Sequence, residues 1–144
     1  MHLEGKYFMD SDFTKNEKQR VKKLFAKKHQ PGFENRDDLA DWFAIRLQEQ
    51  EYKCEYCDTS IFDIRKLIEN KMLKTRKVGY GERGPVLEID KGDNEKGYTK
   101  DNCVLACYYC NNDKSYIFGY DDYKKHFGKN RKTFFDNLLK NVTD

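Results

Sequence analysis

The chain of 144 residues is poor in apolar side chains, at 38% hydrophobic. A core built from so few is thin, and a metal staple compensates for that. No stretch is apolar for long enough to span a bilayer, and the opening MHLEGKYFMD lacks an apolar segment of signal-peptide length. A membrane partner is therefore not expected. Histidine is scarce, with only three residues, His2, His29 and His126, so chemistry that needs an imidazole has few places to sit. Internal repeats and low-complexity linkers are missing, which favours one domain or a small core with flanks. Excess charge is small as well: a net +3 is only a weak pointer to a polyanionic partner.

What is present narrows the field. Aromatics at 15% argue against disorder. There are five cysteines, four of them in two Cys-x-x-Cys pairs, Cys54/Cys57 and Cys107/Cys110, with Cys103 left over. An odd count without a secretory signal favours a reduced, intracellular compartment, where paired cysteines hold metal more often than they form disulfides. Zinc takes four soft or borderline ligands in a tetrahedron, and two tight thiolate pairs supply them. The long loop between the pairs costs little more closure entropy than a short one. A complete four-thiolate shell leaves no open position, so the zinc is expected to be structural. Redox or plain buried cysteines are the alternative. Cys103 lies in an apolar run and reads as core.

The expected elements run in order as follows. Residues 1–13 read as an irregular arm. Thr14 and Glu17 have capping-box spacing, opening a basic helix over 14–29 with Val21, Leu24 and Phe25 on its apolar side. Its lysines are either a solvated face or phosphate contacts. Pro31-Gly32 breaks it. A second helix, capped by Asn35 or Asp37, runs to about residue 50 with Leu39, Trp42, Phe43, Ile45 and Leu47 as a broad apolar face. A third spans Ile61 to Leu73. Between residues 65 and 83 there are seven basic and two acidic side chains. This basic, Gly-rich loop, with Lys74, Arg76, Lys77 and Arg83, is where a nucleic-acid backbone is expected. Two apolar runs follow, one ending at Asp90 and one starting at Cys103, then a short helix after Cys107. Asp121 or Asp122 opens a helix through His126 that Gly128 ends, and a last helix covers 131–142.

The stretch from 84 to 118 carries the chemistry. Glu88 and Asp90 alternate on a strand and so share a face. Asn111 directly follows the last cysteine, at the start of the helix. A strand carboxylate and a helix oxygen ligand, Asp90 and Asn111 with Glu88 beside them, suit Mg2+ or Mn2+. Such an ion on a scissile phosphate stabilises the leaving oxygen. Lys91 and Lys114 stand near enough in sequence to meet phosphate.

The string LEIDK…GYTKDNCVLACYYCNNDKS resembles HNH endonucleases of the ββα-metal type, in the form framed by two Cys-x-x-Cys pairs. The likeness covers roughly residues 54–118. The Trp42 helix before Cys54 and SYIF after the motif are similar to restriction enzymes of this family. The resemblance implies an α+β fold: a zinc-stapled ββα-metal core (54–118) between an N-terminal helical flank (1–53) and a C-terminal one (119–144). It implies that Asp90 binds the catalytic metal, that Asn102 ties the loop, and that Asn111 is a metal ligand. Lys91 stands where the usual pattern has the general-base histidine. A protonated lysine is a poor base near neutral pH. Family members with arginine there make a cation at this position compatible with cleavage. The base is then sought elsewhere, at Tyr80 first, with His126 and His29 behind it.

The leading expectation is a metal-dependent DNA endonuclease with structural Zn2+ and catalytic Mg2+ or Mn2+, acting on double-stranded DNA in a prokaryotic or phage setting. Cutting both strands with one small site implies two copies or two events, so a homodimer is an open expectation. A zinc-stapled nucleic-acid-binding module without catalysis is the alternative, and a protein-interaction module is a third.

Overall fold

The computed structural model describes residues 2–25, 32–79 and 81–142. Tyr80 and His29, two of the candidate bases, lie outside those residues. The elements that position the site can each be traced to the sequence.

Helix α1 spans His2–Lys22, so the expected irregular arm over 1–13 is helical instead. Thr14 therefore sits inside a helix and caps nothing; its hydroxyl lies 2.9 Å from that of Tyr52. Tertiary packing decides the helix here rather than the local capping signal. Phe13 is buried edge-on against Phe62, with ring centroids 5.1 Å apart, and the Arg65 guanidinium lies 4.6 Å from its centroid. Lys18 and Lys22 pair with Asp41 and Asp37 of the next helix at 3.0 and 3.2 Å. Those two lysines thus have partners within the protein.

Helix α2, Arg36–Glu49, starts at Asn35, whose side chain accepts a hydrogen bond from the Asp38 amide at 2.9 Å. Leu39, Phe43 and Leu47 recur every four residues and are fully buried. Each contributes about 1.5–3 kcal/mol through burial. Trp42 is only partly buried and packs on Phe33 at 5.4 Å, and Ile45, expected on the apolar face, is exposed instead because that face spans only the positions four residues apart. Helix α3, Ile61–Glu69, is capped by Ser60 and buries Ile61, Ile64 and Leu67. It ends four residues short of the expected Leu73, because Lys71 takes a left-handed conformation (φ 61°) and Met72 turns back to bond Leu67.

The basic stretch that reads as a Gly-rich loop forms a short antiparallel hairpin, β1 (Arg76–Val78) with β2 (Gly81–Arg83). A second antiparallel pair joins β3 (Leu87–Lys91) to β4 (Cys103–Cys107), with Asp90 opposite Val104 and Lys91 opposite Cys103. Every residue of β4 is buried, as its unbroken apolar run demands. The Gln50 side chain bonds both backbone groups of Leu105 on β4, accepting from its N–H at 3.0 Å and donating to its carbonyl at 2.9 Å.

Helix α4, Tyr108–Lys114, follows β4 without a loop. The chain then runs helically from α5 (Tyr120–Asp122) through one π-type segment (Tyr123–Gly128) into α6 (Lys129–Leu139). Gly128 does not end a helix as its identity suggests. A Cβ at this position would lie 2.1 Å from the Tyr56 carbonyl oxygen, so glycine is required by close approach. One buried cluster draws on α1, α2, α3, both strands of the second sheet and Phe135 of α6. No helix among the described residues is long and apolar enough to cross a membrane.

Candidate functional site

The two Cys-x-x-Cys pairs come together. Sulfur atoms of Cys54, Cys57, Cys107 and Cys110 all lie within 4.8 Å of one another, and all four residues are buried. Tetrahedral zinc with bonds of about 2.3 Å places its sulfurs ~3.8 Å apart; Cys57 and Cys107 are 3.9 Å apart. Backbone amides of Tyr56 and Cys110 donate to the sulfurs of Cys54 and Cys107 at 3.4 Å each. The Cys107 sulfur thereby also caps α4. The donor set fits structural zinc. Cys103 is buried and is not one of the four.

This staple joins the start of α4 to the segment before α3, so α4 lies along β3. Two cross-links follow. Asn111 of α4 donates its amide to Glu88 of β3 at 2.9 Å. Arg83 grips the same carboxylate, donating from Nε to Glu88 Oε2 at 2.9 Å and from Nη2 to Oε1 at 2.7 Å, and its guanidinium stacks 4.6 Å from the Tyr108 ring centroid. One helical turn on, Lys114 places its ammonium 3.2 Å from Asp90 Oδ2, and the Tyr56 hydroxyl donates to that oxygen at 2.5 Å. Lys114 is fully buried and donates also to the Lys91 carbonyl at 3.0 Å. Burial pushes the Asp90 carboxyl above its ordinary value, while Tyr56 and Lys114 oppose that rise. A cleft of about 690 Å³ opens beside the first cross-link, lined in part by Arg20, Phe43, Val78, Arg83, Glu88 and Asn111.

Neither a protein-family model nor a curated protein sequence matches the chain. A solved structure of the rare-cutting HNH restriction endonuclease PacI is similar over 90% of this chain and 82% of that one, with a TM-score of 0.62 and 21% identity. The chain has the HNH endonuclease fold. Strands β3 and β4 and helix α4 form a strand–strand–helix unit, with the four-cysteine cluster at their junction.

The structure places the remaining expected residues as follows. Asn102 accepts from the Asp93 amide and donates to the Asp93 and Gly97 carbonyls, each at 2.9 Å, and so closes the loop between the strands. Lys91 is half-buried, with its ammonium 5.1 Å from the Tyr98 ring centroid. Asn111 meets Glu88, and Asp90 meets Lys114 and Tyr56, so the three expected metal ligands are split between two cross-links. Both Glu88 oxygens are engaged, which makes this carboxylate a support for Asn111. Lys114 is enclosed beside Asp90, where its ammonium has no path to a phosphate; its aliphatic stem and charge fill the gap between α4 and β3. Lys74, Arg76 and Lys77 are exposed on and beside the hairpin. His126 is exposed on the π-type segment. Tyr56 escaped the sequence reading altogether. A tyrosine between two paired cysteines looks like any core aromatic, and its partner is 34 residues away.

Proposed function

We propose that the chain is a divalent-metal-dependent endonuclease that hydrolyses DNA phosphodiester bonds. The observation that carries this reading is the pair of cross-links between β3 and α4 inside an HNH fold. They carry an acid, Asp90, on a strand and an amide, Asn111, on the helix packed along it, one in each cross-link. Asn111 directs its Nδ2 hydrogens at Glu88, since a carboxylate only accepts, and its Oδ1 is left to face another partner. Asp90 has Oδ2 held by two donors, and among the described residues no hydrogen bond reaches Oδ1. Asp90 Oδ1 and Asn111 Oδ1 are then the oxygens that would hold Mg2+ or Mn2+, and Glu88 with Arg83 would orient Asn111. When bound, such an ion supplies charge stabilisation at the scissile phosphate. Lys91 steadies phosphate charge as a cation and does not serve as the base. Arg76 and Lys77 on the hairpin, with Lys74 beside it, contact the DNA backbone.

Supercoiled plasmid incubated with Mg2+ or Mn2+ is expected to be nicked or linearised. Asp90→Ala is expected to lower the rate by at least about 100-fold; a rate within a few-fold of wild type would sink the assignment. A second reading, a binding module without catalysis, is favoured by the cation at position 91. It predicts salt-dependent DNA binding with intact plasmid in every divalent ion tried.

A further inference from the structure

We infer that Tyr56 is a positioning residue for Asp90, carrying the geometry of the zinc knuckle into the candidate active site. The inference rests on the reading of Asp90 as a ligand of a divalent cation.

Tyr56 stands between the two cysteines of the first chelating pair and is 3% exposed. It is held on every side that matters. Its amide donates to the Cys54 sulfur. Its carbonyl is in close approach to Gly128 of the C-terminal helical run, where no side chain would fit. Its ring meets Tyr123 edge-on at 5.3 Å and Tyr120 at 5.6 Å. A side chain fixed at both backbone and ring leaves its hydroxyl at a defined point. That hydroxyl donates to Asp90 Oδ2 at 2.5 Å.

Lys114 reaches the same oxygen at 3.2 Å and is anchored by the Lys91 carbonyl at 3.0 Å and Asn94 Oδ1 at 3.4 Å. Two anchored donors on one oxygen stop the carboxylate from rotating, because any turn breaks both bonds. Oδ1 is thereby aimed in one direction. A site pre-set in this way binds a cation without first ordering its ligand. Zinc then does more than hold the chain together. By fixing the segment from Cys54 to Cys57, it fixes the hydroxyl that aims the acid.

A bland role would be to satisfy a buried carboxylate for folding alone. Tyr123 offers the matching control. It is also a buried tyrosine, it touches Tyr56, and its hydroxyl bonds Asp113 at 2.8 Å. The test uses the full chain loaded with zinc, with Mn2+ binding followed by electron paramagnetic resonance. Tyr56→Phe is expected to weaken Mn2+ binding about 10-fold or more, with zinc content unchanged by metal analysis. Tyr123→Phe is expected to lower thermal stability and leave Mn2+ affinity within about twofold of wild type. Gly128→Ala, which pushes on the Tyr56 carbonyl while keeping the hydroxyl, is a second probe expected to weaken Mn2+ in the same sense. Wild-type Mn2+ affinity in Tyr56→Phe would overturn the inference, as would an equal loss in Tyr123→Phe. Should Tyr56→Phe fail to retain zinc, unchanged Mn2+ affinity in Gly128→Ala would overturn it. If Asp90→Ala itself binds Mn2+ like wild type, the ligand assignment fails instead.

Discussion

The zinc knuckle and the β1–β2 hairpin supply two sides of one candidate site under opposite constraints. In the knuckle, four cysteines, Tyr56, Asp90 and Lys114 are buried, and each polar group among them has a stated partner. In the hairpin, Arg76, Lys77 and Val78 are exposed, while Arg83 at its base reaches inward to Glu88. A two-stranded hairpin gains little from its own hydrogen bonds. The knuckle therefore holds geometry, while the hairpin is free to offer charge. Removal of a knuckle cysteine should be read out as folding, and removal of a hairpin cation as DNA affinity.

The largest expected effect breaks the knuckle. Cys107→Ala removes a ligand and the cap of α4 together. Structural zinc contributes on the order of 10 kcal/mol, comparable with a whole domain's stability. The variant, and wild type treated with a strong chelator, should lose the cooperative thermal transition in circular dichroism; an unchanged midpoint would remove zinc from the account.

Next comes Gly128→Ala. In an ordinary helix interior this change stabilises by up to ~1 kcal/mol. Here the added methyl meets the Tyr56 carbonyl, so a loss of about 1–3 kcal/mol is expected from overpacking. Urea denaturation gives the sign directly, and a gain would mean that the knuckle and the C-terminal helical run can part without cost.

The smallest effect on stability sharpens the contrast from the other side. Lys77→Ala should change folding by less than about 0.5 kcal/mol. It should also lower the slope of log affinity for duplex DNA against log salt by about one. A slope identical to wild type would take Lys77 out of the DNA contact.

What the sequence revealed and what it hid follow the same division. The cysteine pairs were legible because chelation needs only local spacing, and the two strands because their apolar runs end at Asp90 and begin at Cys103. Asn102 was legible only through the family resemblance, since a lone asparagine in a polar turn carries no signal of its own. The hairpin was missed because three-residue strands leave almost no alternation to detect. The unbroken helical course through Gly128 was missed because the reason for glycine lies in Tyr56, far away in sequence. Lys114 read as a surface cation from its position on a polar helix, and only the closeness of α4 to β3 encloses it. Thr14 and Glu17 carried a valid capping signal that the packing of Phe13 overrode.

Gln50 has a consequence for assembly. A strand on the open side of β4 would need the outward N–H and carbonyl of Leu105, and both are already engaged by one side-chain amide. Glu55 adds its own amide to the same carbonyl at 2.9 Å. The flank is thus sealed against a visiting strand by a residue that belongs to a helix end. A second copy of this chain therefore cannot extend the sheet by pairing with β4 at Leu105.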